Sequence, residues 1–418
     1  MKKLLALVLA VAMLISIVSL AAAEDKKTLT IVAWDATTTA YLTAQKEAYE
    51  ASHPDVTIEY VDVPSQDWGT DMATKLNDDH YDIFMVKDVP SLQNWYNAGS
   101  ILSLNDYISA NNFDLSGYKG MDANYKIGED QAALPFRSDF EVLFYNKDLF
   151  DAAGVEYPTN EMTWEQYKEK ALALTNTDPA NPIYGTHYHT WLSTAVNYTV
   201  ADGENTLVDG NYDDLAYFYQ IIQDLEDAEA CIPYTELKAS GTHYSGAFGN
   251  GNIAMMPMGY WFVPTLAERI ASGEYKVQNW GIASMPVKEG VTPGSTFGNL
   301  TGAAINKASK QPDVAWDYIA WLCGEEGSKV TAATGNRPAW VSEAIAEILA
   351  QMPGFPADEG SKAALLPAAV YIEMPATEHT SEISAILGEE HDAIMNRAET
   401  IEDGIANMNE RVAEVLGK

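Results

Sequence analysis

The chain has 418 residues, 47% hydrophobic and 20% charged, and its formal charge is −35. That length exceeds what one hydrophobic core sustains and suits two domains or lobes. So negative a chain repels nucleic acid and anionic lipid, and an anionic ligand would need a local basic pocket.

The N-terminus reads as an export signal. Met1-Lys2-Lys3 is a basic start, residues 4–20 are apolar and uncharged, and Ala21-Ala22-Ala23 supplies the small residues of a cleavage site before Glu24-Asp25. Residues 1–23 therefore read as a secretory signal peptide. An uncleaved anchor is the competing reading, because the apolar run is long enough to span a bilayer. No cysteine lies near the site, so a lipoprotein modification has no acceptor there. The mature chain has no second long apolar run and is expected in a periplasm or outside the cell. Its two cysteines, Cys231 and Cys323, fit either a disulfide or two buried free thiols.

In chain order, residues 28–33 alternate as a first strand that delivers Trp34-Asp35 at its end. A helix over 40–52 stops at His53-Pro54-Asp55, and a second strand covers 56–61. Residues 68–76 are helical, and 81–86 form a short buried strand ending at Lys87-Asp88. Strands alternating with helices at this spacing predict a βαβ sheet, mostly parallel. In such sheets ligands bind beyond the carboxyl ends of the strands, which points at Trp34-Asp35 and Lys87-Asp88. Next, Leu134-Pro135-Phe136-Arg137-Ser138-Asp139 leads into an apolar strand that ends in Tyr145-Asn146-Lys147-Asp148 and opens a helix. A chain crossing between two lobes looks like this, with a cation and a carboxylate left facing the cleft.

Thr163-Trp164-Glu165-Gln166 is a capping box that starts a helix. Residues 184–191 are an aromatic, polar run turning into a helix, and 213–230 are helical. Residues 248–261 read as a turn, a buried strand and a Gly259-Tyr260-Trp261 tip; 280–286 read as an edge-like strand. Residues 289–302 form a return connection, and the remainder reads as helical, interrupted at Asn336-Arg337-Pro338 and around residues 352–356. His187 and His189 alternate along one face at a spacing a metal site could use, yet no third ligand sits in a matching motif. The acidic cluster Asn77-Asp78-Asp79-His80 has no calcium-loop pattern and reads as a solvated turn. No metal or cofactor is expected.

Taken together, Leu29-Thr30-Ile31-Val32-Ala33-Trp34-Asp35, Tyr81-Asp82-Ile83-Phe84, Tyr145-Asn146-Lys147-Asp148-Leu149-Phe150 with Ala153-Gly154, Gly251-Asn252-Ile253-Ala254-Met255-Met256 with Gly259-Tyr260-Trp261, and Thr334-Gly335-Asn336-Arg337-Pro338-Ala339 keep one order along the mature chain. In that order they resemble the extracellular solute-binding proteins of family 1, the maltose-binding type that serves ABC importers. The resemblance implies an α/β, two-lobe, periplasmic-binding-protein-like fold of type II, each lobe a mostly parallel sheet flanked by helices, joined by hinge crossovers. It divides the chain into lobe 1 over 24–137, lobe 2 over 138–298, a return to lobe 1 over 299–340, and C-terminal helices over 341–418 packing mainly on lobe 2. The expected partners are a small-molecule ligand and the membrane permease subunits of an ABC importer, with the protein itself a monomer. Tyr81 departs from the family's usual proline, and the lipoprotein cysteine common in single-membrane bacteria is absent.

Carried over by position, Asp139 stands where the family places a carboxylate that accepts sugar hydroxyls. Trp34, Asp35, Lys87 and Asp88 line the first lobe's half of the cleft. Tyr188, Trp191, Tyr260 and Trp261 form the second lobe's aromatic shelf, and Asn299 lies at the second crossover. The chemistry suits a sugar, whose apolar C–H faces stack on Trp and Tyr while Arg137 and Asp139 satisfy its hydroxyls. The 10 Trp and 23 Tyr supply such faces in excess of core needs. Blander roles fit some of these residues: Trp34 could close a core, Arg137 and Asp139 could be a structural ion pair, and Trp191 could be buried at a helix start. Two other functions stay open. A glycosidase would use two carboxylates among Asp35, Asp88 and Asp139, but no catalytic signature occurs and an enzyme is not expected. A receptor for polyamines or another cation would suit the charge, with Arg137 against it.

Overall fold

The computed structural model describes residues 26–64, 67–118 and 120–418; the signal read over 1–23 lies outside them. Strands β1 (Lys27–Trp34), β2 (Val56–Val63) and β3 (Ile83–Val86) pair in parallel, with helices Ala40–Ser52 and Trp68–Lys75 between them. The period of two in a strand sends Leu29, Ile31 and Ala33 of β1 to one core and Val32 to another, and β3 divides in the same way. Both faces of this sheet are covered, as parallel sheets require.

After a small hairpin, β4 (Lys126–Ile127) with β5 (Asp130–Gln131), the chain enters β6 (Leu134–Asn146). Its 13 residues extend about 40 Å at roughly 3.3 Å each. That reach lets one strand serve two cores: Leu134 and Phe136 pack with β1 and β3, whereas Phe140, Val142, Phe144, Leu143 and Tyr145 pack in the second half. Strands β7 (Met255–Gly259) and β8 (Trp280–Ser284) flank the far end of β6, both antiparallel to it. Strand β9 (Ser295–Ile305) then returns, placing Phe297 in the second half and Ala303 and Ile305 in the first. The strand order is β2-β1-β3-β9-β6-β7, with β8 beside β6 and β10 (Ala369–Ile372) beside β9.

The sheet is therefore mixed. It is parallel across β2-β1-β3, but β9 runs antiparallel to both β3 and β6. An outgoing and a returning crossover that touch must run in opposite senses. β10 also corrects the expectation of helix throughout the C-terminal segment: Ala369-Val370-Tyr371-Ile372 carries β-branched and aromatic residues and pairs in parallel with residues 295–298. Beyond it, helices Thr380–Met395 and Ile401–Val415 pack on Leu215–Asp227 in the second half's core. Cys231 and Cys323 are both buried and free, in separate cores, so they do not pair. Among the described residues no helix is long and apolar enough to cross a membrane.

The crossovers approach most closely where Asp139 pairs with Asn299 and Phe140 with Gly298. A Cβ on Gly298 would sit 1.9 Å from the carbonyl oxygen of Asp139, against backbone on a paired strand. Gly298→Ala is expected to cost about 2 kcal/mol or more, as overpacking does, read as a lowered midpoint in urea unfolding.

Candidate functional site

Beside these crossovers lies a cavity of about 650 Å³, inside the range of roughly 300–1,000 Å³ usual for small-molecule sites. From the first half come Trp34, at the end of β1, and Lys87-Asp88, just past β3; from the second come Trp191 and Trp261. Arg137, Asp139, Asn299 and Thr301 form its floor on β6 and β9, and Glu373 closes it from just beyond β10. A second cavity of about 600 Å³ meets Arg137 and Trp261 and continues toward Met352 and Gly354.

The floor is electrostatic. Arg137 Nη2 lies 3.2 Å from Asp139 Oδ2, and both side chains are largely buried. The guanidinium also sits over the Tyr41 ring at 5.0 Å and donates to Thr301 Oγ1 at 3.4 Å. Burial pushes the Asp139 carboxyl above its ordinary range, against the opposing pull of Arg137 and Arg337. Its Oδ1 is buried with no hydrogen-bond partner among the described residues. Such an atom is costly to bury unmet. Asn299 is paired across from Asp139, its side-chain oxygen accepting from Leu300 N at 2.8 Å. Asp88 has a structural duty as well: it caps helix Val89–Asn97 by accepting from Ser91 N at 2.7 Å. Burial lowers the pKa of Lys87, opposed by Asp88 and Asp35, and its ammonium lies 5.9 Å from the Trp34 ring centre.

The walls are aromatic. Trp261 is fixed on two sides: its indole N–H donates to Tyr244 OH at 3.1 Å, and its ring lies over Gly259, where a Cβ would come within 1.9 Å. Trp191 is 41% exposed, a large apolar face left open to the cavity. It meets His189 edge-on at 4.3 Å and approaches Trp261 at 6.5 Å. Trp34 is braced edge-on by Trp68 at 5.2 Å.

Of the residues expected from sequence, Trp34, Lys87, Asp88, Arg137, Asp139, Trp191, Trp261 and Asn299 come together around this cavity. Three do not line it. Tyr188 is buried in the second half's core near Tyr167, because the extended run over 187–189 turns it inward. Tyr260 is fully buried and stacks on Phe140 at 5.6 Å, while the next residue, Trp261, takes the outward position. Asp35 sits at the turn after β1 with φ 48°, its carbonyl accepting from Thr38 N and from Thr39 Oγ1. Sequence reasoning missed Asn197, Thr301 and Glu373, which also line the cavity. Thr301 was within reach, since it follows Asn299 by two on the same strand face. Glu373 was hidden by the helical reading of its segment, and Asn197 lies in a 3-10 stretch with no periodicity to find it. Elsewhere, Asp78, Asp79 and His80 are the only group among the described residues with ligand atoms close enough for a cation. They sit on a turn where His80 meets Asp78 at 2.6 Å and Lys310 meets Asp79 at 2.7 Å.

The sequence profile of the bacterial extracellular solute-binding proteins matches residues 33–329. The chain belongs to that family. A solute-binding protein needs a cleft whose two sides come from different halves of the molecule, as this cavity does. Among solved structures, a sugar transporter of Rhizobium etli in an open conformation is similar at 42% identity and a TM-score of 0.84, over 92% of this chain and 98% of its own. An ABC substrate-binding protein of Listeria monocytogenes in complex with cycloalternan shares the fold, with a TM-score of 0.76 at 21% identity, over 94% of this chain and 100% of its own. A Brucella abortus (strain 2308) protein described as a binding protein is 23% identical, over 94% of this chain and 96% of its own.

The wall behind Trp191 is expected to lose stability in acid. His187 is fully buried, with neither ring nitrogen partnered among the described residues. Burial lowers its pKa from 6.5 to about 3, with neighbouring His189 adding to the shift. Between those values the unfolded chain binds the extra proton, so the contribution rises with pH and is lost on acidification. Wild type should lose up to about 1.4 kcal/mol more stability per pH unit below about pH 6.5 than His187→Gln. Urea unfolding of both across that range checks it.

Proposed function

We propose that the protein captures a carbohydrate, a mono- or oligosaccharide, between its two lobes and delivers it to an ABC importer. The observation that carries this reading is the pairing of three indole faces, Trp34, Trp191 and Trp261, with a buried carboxylate whose Oδ1 is unmet. Sugars present complementary surfaces: C–H faces that stack on indoles and hydroxyls that donate to carboxylates. The Rhizobium etli relative, described as a sugar transporter, supports it. So do solved structures of similar fold with bound maltose, D-mannitol and α-D-tagatose.

The proposed ligand contacts are Trp34, Lys87, Asp88, Arg137, Asp139, Trp191, Trp261 and Asn299, with Asn197, Thr301 and Glu373 added by their place on the cavity. The lobe limits at residues 137, 298 and 340 remain our division of the chain, and we take the protein to act as a monomer. Capture without chemistry suits carboxylates already engaged, Asp139 with Arg137 and Asp88 with its helix cap. Binding would favour the closed arrangement through contacts made only there. Export by a cleaved signal over residues 1–23, without lipid attachment, completes the reading, and the N-terminus of secreted protein should then be Glu24.

A thermal-shift screen of residues 24–418 against mono-, di- and oligosaccharides tests capture. A ligand at about a hundred times its Kd stabilises the native state by roughly 2.7 kcal/mol, an easily visible shift. The bound sugar should be recovered unchanged; its hydrolysis would sink the receptor reading. Trp261→Ala and Asp139→Asn should each weaken binding about tenfold or more, since a buried aromatic or charge-assisted contact is typically worth ~2 kcal/mol. Asp139→Asn also lowers Tm, because it leaves Arg137 buried without its counter-charge, so affinity is read well below that Tm. Wild-type affinity in both would displace the site.

A further inference from the structure

At and beneath the cavity floor stand more acidic side chains than the protein pairs with cations. Asp139 and Glu141 follow one another on one face of β6 and are 5% and 4% exposed. Glu373 reaches the same place from the end of β10, where its backbone N–H donates to Gly298 O at 2.9 Å. Glu141 Oε1, like Asp139 Oδ1, is buried without a hydrogen-bond partner among the described residues. Arg137 and Arg337 act on Asp139. Neither Glu141 nor Glu373 has an ion-pair partner within 4.0 Å among the described residues. The Asn197 side chain lies near enough to favour the Glu373 carboxylate, while Asp139 and Asp88 repel it. The remaining cation at the cavity, Lys87, interacts with Asp88 and Asp35.

A neutral sugar hydroxyl can satisfy one acceptor but leaves this cluster of acids without a cation. An ammonium brings three donors and a compensating charge at once. We propose that the carbohydrate bound here carries a protonated amine, seated against Asp139 and Glu373 with Glu141 as the counter-charge beneath them. This rests on the carbohydrate reading above and narrows it to amino sugars.

The empty site keeps itself neutral in another way. Burial, then repulsion from Asp139, raises the Glu373 pKa to about 7; burial and repulsion from Glu373 hold Glu141 well above the ordinary carboxylate range. Near neutral pH Glu373 is therefore partly protonated until a cation displaces the proton. Binding of an amine releases a proton, and affinity rises with pH through about 7 until the amine itself deprotonates.

Isothermal titration of residues 24–418 tests this with glucosamine, galactosamine and the disaccharide of chitosan, each against its N-acetylated form, with spermidine as a further arm. Buffers of different ionisation enthalpy report the proton. The amine form should bind about tenfold tighter or more, the worth of a charge-assisted contact, with proton release. Glu373→Gln and the deeper Glu141→Gln should each erase that preference while retaining Tm. Equal affinity for the N-acetylated forms, or no proton release, overturns the inference and leaves the carbohydrate reading standing. Binding of spermidine alone, or of no sugar in this panel or the broader screen, overturns both.

Discussion

The antiparallel contact of β6 with β9 is the constraint from which the rest of the molecule follows. The chain leaves its first half along one strand and returns along the other, and the two touch where Asp139 faces Asn299. Gly298 permits that approach, since any side chain there would meet the Asp139 backbone. The residues at the cavity floor thus stand on paired strands whose register admits no slip without turning core residues outward. The walls are differently built: Trp34 and Lys87 follow strand ends, and Trp191 and Trp261 lie on connections in the other half. A floor fixed by hydrogen-bonded backbone and walls carried by separate bodies is the arrangement that lets two halves close on a ligand while its polar contacts stay in place.

Each wall aromatic has its own brace: Tyr244 and Gly259 for Trp261, His189 for Trp191, Trp68 for Trp34. Braced rings lose little freedom when a ligand stacks on them, so contact area converts more fully into affinity. The same bracing carries a cost in the buried histidines. Burial disfavours their charged forms, and His189 is the one that meets Trp191.

How much of this was legible in the sequence depended on whether a local pattern carried it. The βαβ opening could be read because β1 and β3 are apolar runs separated by helices, and the crossover because Arg137 and Asp139 interrupt an otherwise buried strand. Tyr188 and Tyr260 misled because an aromatic beside polar residues looks the same whether it faces a cleft or a core. Trp261, next to Tyr260, took the outward position, and so did Trp191, three residues past Tyr188 and beyond two buried histidines. Glu373 was invisible for another reason. Its strand is four residues long and pairs with a partner far away in sequence, so neither periodicity nor spacing could bring it to the floor.

That last pairing bears on how the site comes into being. Strands β1 to β3 and their helices could associate early, being near neighbours in sequence. The cavity is another matter, since Asp139 comes from β6, Asn299 and Thr301 from β9, and Glu373 from the segment after β10. β10 docks on residues 295–298, immediately before the contact of the two crossovers. Long-range pairings of this kind must overcome loop-closure entropy before they are rewarded. The acids on the floor are thus brought together from segments far apart in the chain, each in the field of the others. Assembly of the floor therefore needs β6, β9 and the segment after β10 together, with the cost of crowding acids there met by the pairings that hold those strands in place.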